Sequence, residues 1–330
     1  MTCKKCVLDS HYPNITFDSE GICNYCRSMK DLATVEKMKV GYRDKLETLI
    51  EKHRDKYEYD CIVSFSGGKD STYTLYLMRE VYGLKILSFS FDNWFQSERA
   101  MLNIRSVVKS LRIDHVSLTI NFEIWKKIIQ SSLSNDLFSK KAMERASTIC
   151  TICLSLIRFF GLKMAIEKNI PFLVLGLSPG QAPLVTSIFK TNPQMVKTMQ
   201  KAVFKPLYRK MGDVLKPYFL DDRHFQVENG FPYIINPLAI FPYDEFHIYE
   251  KIDDLGWNKP EDTDPNSTNC LLNAFAIKSH IDTFGFHPYA FDLAKLVRED
   301  RLDRETAKSR LNSQIDARLI EMTKKKLDLE

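Results

Sequence analysis

The hydrophobic positions of the chain fall into short apolar runs separated by longer stretches of helical period. The apolar runs occupy residues 60–64, 85–91, 114–120, 171–176 and 234–238. Runs of this length are typical of buried strands. Stretches of helical period lie between or after them, at residues 73–78, 97–111 and 243–255. Strands that alternate with helices predict an α/β fold with a parallel sheet covered on both faces.

The same pattern predicts how the chain is divided. Residues 1–30 contain too few apolar positions to form a core alone, and residues 31–57 are charged and periodic, as expected of a helical linker. The core domain is predicted at 58–285, with a helical substrate insertion at about 180–230. Residues 286–330 are highly charged with spaced apolar positions, which predicts amphipathic C-terminal helices.

Composition and charge narrow the class of protein. At 330 residues the chain can bury a substantial core, and no apolar run approaches membrane length. The N-terminus lacks the apolar segment of a signal peptide, so we expect a cytoplasmic protein without a membrane span. In that reducing compartment the eight cysteines indicate metal sites rather than disulfides. The net charge of +5 suits an anionic substrate and does not by itself indicate nucleic acid.

Four of the cysteines form two closely spaced pairs near the N-terminus. Cys3-x-x-Cys6 and Cys23-x-x-Cys26 have the spacing of a four-thiolate zinc ribbon or knuckle. Because so short a segment has no core of its own, the metal would supply its folding energy. We therefore predict a structural zinc site.

A glycine turn follows the first predicted strand. The sequence Ser66-Gly67-Gly68-Lys69-Asp70-Ser71 joins that strand, which ends near Ser64, to a helix, and such a junction presents backbone N–H groups and a positive dipole end to an anion. It is not a Walker loop, because Val63 stands at the first glycine position and Asp70 replaces the magnesium-binding hydroxyl. We predict that Lys69 and the serines contact a pyrophosphate and that Asp70 holds Mg²⁺. The alternative is an ordinary capped Gly-Gly turn.

Other polar residues follow the remaining predicted strands at the same edge of the sheet. Asp92 and Asn93 come after the second strand and are candidate contacts for the nucleoside or a second substrate; the alternative is a strand-to-helix turn. The turn-rich segment from Gly176 to Gln181 follows the fourth strand. We expect it to close over the nucleotide or the acceptor.

Three further cysteines leave several interpretations open. Cys150 and Cys153 form a pair, and Cys270 ends a distant polar loop. Three interpretations are open. The pair could be redox-active with the third cysteine merely buried, all three could be buried packing residues, or all three could be ligands of an iron–sulfur cluster.

A basic row is predicted on one helix. Its members fall at steps of four, as Lys197, Lys201, Lys205 and Arg209. The row is either a solvated helix face or an electrostatic seat for a diphosphate or for RNA.

The glycine turn resembles the pyrophosphate loop of AMP-forming ATP pyrophosphatases, and the chain as a whole resembles the N-acetyl sugar amidotransferases of bacterial surface-polysaccharide and lipopolysaccharide biosynthesis. Further motifs carry that resemblance, namely Ile15-Thr16-Phe17-Asp18, Gly21-Ile22-Cys23-Asn24-Tyr25-Cys26, Phe91-Asp92-Asn93 and Asp264-Pro265-Asn266-Ser267-Thr268-Asn269-Cys270. The resemblance implies a PP-loop (HUP-type) ATP pyrophosphatase core.

The resemblance also implies an activity. An acetamido group on a nucleotide-activated diacetamido sugar would become an acetamidino group, with ATP split into AMP and pyrophosphate. Ammonia would come from a separate glutaminase acting with a cyclase-like subunit, and nucleic acid is not expected as a partner. Related tRNA thiolation enzymes carry a [4Fe-4S] cluster on a similar cysteine set, which favours a cluster at Cys150, Cys153 and Cys270. The alternative function is therefore tRNA thiolation by the same adenylylation chemistry.

Overall fold

The computed structural model describes residues 1–134, 137–227 and 230–329. One sheet is built from β1 (Cys61–Ser64), β2 (Ile86–Asp92), β3 (Asp114–Thr119), β4 (Phe172–Val174), β5 (Ile188–Lys190) and β6 (Tyr233–Ile235). The strand order is β3-β2-β1-β4-β6-β5, and all neighbouring pairs are parallel except β5 with β6. The predicted α/β fold with a mostly parallel sheet is confirmed.

Two details of the sheet differ from the sequence prediction. The antiparallel strand β5 lies inside the stretch 180–230, which was predicted as helical, and its three residues are too few to give a strand pattern. The last strand, β6, ends at Ile235 and does not continue to Leu238. Pro237 cannot donate a ladder hydrogen bond, and it begins the 3-10 turn Pro237–Ala239 instead.

The order of the strands places a topological switch point beside β1. The chain moves outward from β1 to β2 and β3, and then crosses back to form β4 on the other side of β1. β1 and β4 pair in register, with Val63 opposite Val174, so the turns that follow them start at the same level. Ligands of such sheets bind in the crevice outside the carboxyl ends at this point.

Helices surround the sheet, and most of the longer ones begin directly after an Asp, Asn or Ser cap. In chain order they are α1 (Asn24–Arg27), α2 (Leu32–His53), α3 (Lys69–Tyr76), α4 (Glu98–Leu111), α5 (Phe122–Ser132), α6 (Thr148–Glu167), α7 (Pro193–Met211), α8 (Asp222–Phe225), α9 (Glu245–Asp253), α10 (Leu272–Phe284), α11 (Ala290–Arg298), α12 (Arg304–Leu311) and α13 (Ala317–Lys326). The predicted linker and C-terminal helices correspond to α2 and to α11–α13.

Side-chain alternation along β1 divides the core between the two faces of the sheet. Val63 belongs to the cluster that contains Leu75 of α3, whereas Ile62 belongs to the cluster that contains Phe159 of α6. The glycine turn therefore feeds α3 onto one face, and the helix that carries Cys150 covers the other.

α6 is long and apolar enough to cross a membrane by length and composition alone, which the sequence analysis overlooked. Half of its apolar window is nevertheless buried inside the fold. Ile152, Leu156 and Phe159 are buried, and the helix packs against β1 and β4. In this structure α6 is a core helix.

The N-terminal module is attached to the rest of the chain by specific hydrogen bonds. The Arg304 guanidinium donates to the carbonyl oxygens of Cys3 at 2.8 Å and of Cys6 at 3.0 Å. On the other side, the Tyr12 hydroxyl donates to the carbonyl oxygen of Glu144 at 3.2 Å. The module therefore touches both α12 and the segment that leads into α6.

The predicted basic row lies along α7. The segment is helical, as the spacing of the row indicates. The four residues of the row are all exposed: Lys197, Lys201, Lys205 and Arg209.

Candidate functional site

Glycine determines the backbone path around the turn after β1. Gly67 has a φ of +75°, and a Cβ there would lie 2.3 Å from a backbone carbonyl oxygen of α4. A Cβ at Gly176, in the turn after β4, would lie 2.7 Å from the Cα of Ser71. No side chain fits at either position without moving the backbone. The two glycines therefore let the turns after β1 and β4 meet at the start of α3.

Hydroxyl groups and backbone N–H groups converge on the same turn. The Oγ atoms of Ser66 and Ser71 lie 3.1 Å apart, and the backbone N–H of Ser66 donates to Ser71 Oγ at 3.2 Å. The backbone N–H of Lys69 donates to Thr268 Oγ1 at 2.9 Å. α3 begins after Gly68, which provides no side-chain cap, so the dipole end of the helix faces this cluster. The arrangement is that of an anion-binding turn.

The turn opens into a cavity of about 280 Å³ at the carboxyl ends of the strands. Most of the residues predicted for the site line this one cavity: Ser64, Ser66, Gly68, Asp70, Ser71, Asn93, Cys150, Cys153, Gly176, Gln181 and Cys270. Gly67 supports the turn from behind, against α4. The structure therefore brings together the glycine turn, the turn after β4 and the three cysteines, which lie far apart in the sequence.

Lys69 is the main departure from the predicted site. Its ammonium is buried away from the cavity lining, where it donates to the Tyr243 hydroxyl at 2.9 Å and pairs with Glu245. Burial alone would lower the pKa of Lys69, but Asp70, Tyr243 and Glu245 raise it well above its usual value. The side chain is thus a fixed cation that joins α3 to α9. The predicted contact between this ammonium and a pyrophosphate is not supported by the structure.

Asp70 is placed as the prediction requires. It lines the cavity from the first turn of α3, and its Oδ1 accepts a hydrogen bond from the Tyr243 hydroxyl at 2.8 Å. This bond fixes the orientation of the carboxylate. A carboxylate held beside an anion-binding turn is a suitable ligand for Mg²⁺.

Asp92 and Asn93 have different roles although they are adjacent. Asp92 does not line the cavity; its carboxylate accepts from the backbone N–H of Trp94 at 2.8 Å, as in an ordinary turn. The prediction that Asp92 contacts a nucleoside is therefore not supported. Asn93 is buried and lines the cavity, but its amide nitrogen faces sulfur, 3.7 Å from Cys270 Sγ and 3.9 Å from Cys153 Sγ.

The three cysteines form one group on the cavity wall. Cys150 and Cys153 lie on the first two turns of α6, and Cys270 precedes α10. Burial raises the pKa of Cys150 to about 11 and raises the pKa values of Cys153 and Cys270 as well. The charges of neighbouring thiolates add to the upward shift of the pKa at Cys150 and Cys153.

This group fits an iron–sulfur cluster better than it fits a redox pair. Three thiols converge on one accessible cavity, and the Asn93 amide offers N–H hydrogen bonds to two of the sulfurs, an interaction that stabilises thiolates and tunes such clusters. Packing alone does not explain why the three sulfurs line a cavity beside the anion-binding turn. Cys150, Cys153 and Cys270 are thus suitable ligands for a cluster.

The four N-terminal cysteines form a separate metal-binding group. Their sulfurs all lie within 4.8 Å of one another, and all four residues are buried. The distances from Cys3 to Cys26, 3.8 Å, and from Cys6 to Cys23, 3.7 Å, match the edge of about 3.8 Å of a tetrahedron with Zn–S bonds of about 2.3 Å. The backbone N–H groups of Cys6 and Cys23 also point at Cys3 Sγ. The donor set and geometry fit a structural Zn²⁺ ion.

Several residues of the cavity are not among those predicted from the sequence. Arg158 lies on α6 eight residues after Cys150, and this helical spacing is a signal that was available in the sequence. Arg145 stands before α6 with its guanidinium 4.3 Å from the centre of the Phe291 ring. Tyr289, just before α11, donates from its hydroxyl to Asn273 Oδ1 of α10 at 2.9 Å. No local sequence pattern predicts this contact.

Comparisons with known proteins agree with this core. Residues 60–152, which run from β1 into the first turns of α6, match the family described as queuosine biosynthesis protein QueC. The fold is PP-loop ATP pyrophosphatase-like. Over 313 residues the chain is 26% identical to the uncharacterized protein MJ1599 of Methanocaldococcus jannaschii, covering 94% of this chain and 93% of that protein.

Two of the solved structures that match the chain are a U34-tRNA thiolase and an NAD synthetase. The thiolase NcsA from Methanococcus maripaludis, with its [4Fe-4S] cluster, is 17% identical, with a TM-score of 0.37 over 100% of this chain and 99% of that chain. The NH3-dependent NAD synthetase from Campylobacter jejuni is 12% identical, with a TM-score of 0.36 over 91% and 94%.

Proposed function

We propose that the protein is an AMP-forming ATP pyrophosphatase that activates a carbonyl oxygen of its substrate by adenylylation. One observation carries this proposal: the anion-binding turn Ser66–Ser71, Asp70 and three cysteines face the same cavity at the switch point of the sheet. The match of residues 60–152 to the QueC family supports the same class of enzyme.

The geometry suggests how the first step proceeds. The backbone N–H groups and hydroxyls of Ser66 and Ser71 would hold the β- and γ-phosphates, and Asp70 would hold the accompanying Mg²⁺. The carbonyl oxygen of the substrate attacks the α-phosphorus, so that an oxygen–phosphorus bond forms and the bond between the α-phosphorus and the bridging oxygen breaks. Pyrophosphate leaves into the turn. The former carbonyl oxygen is now part of an AMP leaving group.

In the second step a nucleophile adds to the activated carbon, and AMP departs with the oxygen. A cluster held by Cys150, Cys153 and Cys270 would supply a Lewis-acidic iron facing this cavity. The Zn²⁺ ion would have a structural role, because its four ligands close the site and lie in a separate module.

Sulfur is the nucleophile that the cysteine group favours. In this candidate function the protein is a tRNA thiolation enzyme, in which sulfide replaces the carbonyl oxygen of a nucleobase. The cavity beside the three cysteines supports it, and the exposed basic row on α7 offers four cations to an RNA backbone.

Ammonia is the nucleophile that the sequence motifs favour. In this candidate function the protein converts the acetamido group of a nucleotide-activated diacetamido sugar into an acetamidino group, in the synthesis of a surface glycan. Ammonia would be delivered by a separate glutaminase with a cyclase-like subunit. The observation behind it is that Asn93 and the polar loop that includes Thr268 and Cys270, which carry the resemblance to sugar amidotransferases, line the cavity.

A product assay tests the shared step and separates the two candidates. Anaerobically purified protein is incubated with ATP and Mg²⁺, either with ammonia and a diacetamido sugar nucleotide or with sulfide and tRNA, and AMP, ADP, phosphate and pyrophosphate are measured. We expect AMP and pyrophosphate in equal amounts, with one of the two acceptor pairs. Formation of ADP and phosphate would refute the adenylylation step. Product in the arm without RNA would refute thiolation as the function, and product only with tRNA would refute amidine formation.

A further inference from the structure

The wall of the cavity contains a guanidinium without a protein partner. Arg158 lines the cavity from α6, on the helical face that also presents Cys150 and Cys153. Across residues 1–134, 137–227 and 230–329, no hydrogen bond, ion pair or aromatic ring engages its side chain. Burial among its neighbours lowers the pKa of Arg158, and no nearby carboxylate opposes the shift.

Such an arginine has donors available to a ligand. A guanidinium carries five N–H donors, and the half-buried side chain of Arg158 presents its own to the cavity. Apolar side chains of β2, Phe89 and Phe91, line the same cavity and provide no acceptor. A molecule that occupies the cavity and carries acceptor oxygens could therefore bind to Arg158.

The other cations near the cavity have protein contacts. Lys69 is bound by Glu245, Tyr243 and Asp70, and the guanidinium of Arg145, which also lines the cavity, lies over the ring of Phe291. The turn after β1 has backbone and hydroxyl donors but contributes no free positive side chain. A nucleotide in the cavity would therefore meet two guanidinium groups, and among the described residues that of Arg158 has neither a ring nor a carboxylate partner.

We propose that Arg158 is a phosphate receptor, which binds a phosphate group of a nucleotide in the cavity through paired N–H···O bonds. The proposal rests on the proposed function for the presence of a nucleotide there. Arginine suits this task because its planar fork matches two phosphate oxygens at once, which a lysine cannot do. The phosphate belongs either to ATP or to a nucleotide-linked second substrate.

Binding measurements with four probes test the proposal and separate these sources. We would measure the affinities of ATP, inorganic pyrophosphate, uridine 5′-diphosphate and adenosine for the wild type and for the Arg158→Gln and Arg158→Lys variants. Loss of one charge-assisted contact predicts a weakening of about 10-fold or more for a phosphate-bearing probe in Arg158→Gln, and a smaller loss in Arg158→Lys. Weakening of ATP or pyrophosphate assigns the phosphate to ATP, and weakening of uridine diphosphate assigns it to a second substrate. Adenosine, which has no phosphate, should bind unchanged.

The matched control is Lys168→Gln, which removes one positive charge from the exposed end of the same helix. It should leave all four affinities within twofold of the wild type. Equal affinities of wild type and Arg158→Gln for every phosphate probe would overturn the proposal, and so would a loss of adenosine binding in parallel with the others.

A second readout does not depend on the identity of the ligand. If Arg158 is kept for binding, the ligand-free Arg158→Met variant should melt about 2 °C or more above the wild type, because an unpaired charge has been removed. A structural role predicts a lower melting temperature, which would refute the assignment. A wild type that binds no ATP would refute the proposed function, while the melting temperatures and the pyrophosphate and uridine diphosphate affinities would still decide the role of Arg158.

Discussion

A buried carboxylate on α11 gives the sharpest prediction for stability. Asp292 is 4% exposed, and neither of its carboxylate oxygens has a hydrogen-bond partner among the described residues. Burial raises the pKa of Asp292 from its ordinary value of 3.8 to about 7, although the charges of Arg145 and Lys295 oppose the shift. The folded protein therefore holds a proton on Asp292 that the unfolded chain releases near pH 4.

The sign and size of the effect follow from this difference. Because the folded pKa lies above the unfolded one, the folded state binds more protons between pH 3.8 and 7, and stability falls as the pH rises through that window. At about 1.4 kcal/mol per pKa unit, the total loss above pH 7 is about 4 kcal/mol. Asp292→Asn should remove this loss, since a neutral amide does not titrate. Any cost of the unpaired amide itself is the same at every pH.

Urea unfolding of wild type and variant at pH 8.0 and pH 5.5 measures the effect. The stability advantage of Asp292→Asn should be about 2 kcal/mol larger at pH 8.0 than at pH 5.5. Other titrating groups contribute equally to both proteins and cancel. Asp282→Asn is the control, because Asp282 is an exposed residue of α10 that pairs with Lys278, and its effect should change little with pH. An advantage of Asp292→Asn that is the same at both pH values would refute the reasoning.

Three further predictions concern the site and its support. Gly176→Ala should lower both the melting temperature and the rate of pyrophosphate release, because the new methyl would lie 2.7 Å from the Cα of Ser71; a fully active variant would contradict the close approach. Lys69→Met should lower the free energy of unfolding by about 2 kcal/mol, less than the usual cost of breaking a buried pair because Glu245 keeps a second cationic partner. The ATP affinity of this variant should stay within twofold of the wild type. A tenfold loss would instead support the predicted contact between Lys69 and pyrophosphate. Removal of Zn²⁺ by a chelator should lower the melting temperature, and zinc analysis should show about one ion per chain before treatment.

The sequence predicted the sheet well where the signal is local. The apolar runs that form β1, β2 and β4 are bounded by turn residues, and their buried side chains on both faces leave few alternatives to a parallel sheet. β3 lies at the edge of the sheet, and its side chains are exposed or half-buried. β5 escaped prediction because a three-residue edge strand is specified by its pairing with β6 and not by its own composition. α6 was not recognised as a long apolar helix, because polar residues such as Ser155 and Arg158 interrupt its apolar positions.

A role that depends on backbone shape can be inferred from the local sequence, whereas a role that depends on a distant partner cannot. Gly67 and Gly176 are required by turn geometry, which a strand followed by glycine already announces. Two partners of Lys69, Tyr243 just before α9 and Glu245 at its first position, lie more than 170 residues later in the chain. Nothing local to the turn could reveal that its ammonium points away from the cavity.

The position of the Lys69 ammonium changes which groups can stabilise the pyrophosphate. Lys69 is fixed by Glu245 and lies 3.4 Å from Asp70 Oδ1, outside the cavity lining, so the donors that face the cavity at the turn are neutral backbone N–H groups, hydroxyls and a helix dipole. The negative charge of a departing pyrophosphate would therefore depend on the metal that Asp70 would hold. The cavity also contains guanidinium groups, and that of Arg158 has no hydrogen-bond, ion-pair or ring partner among the described residues. Lys69, which the sequence assigns to the pyrophosphate, therefore has a different role, and Arg158, to which the sequence assigns none, is available to a ligand. The motif lysine supports the fold, and the arginine that follows the cysteine pair serves the ligand.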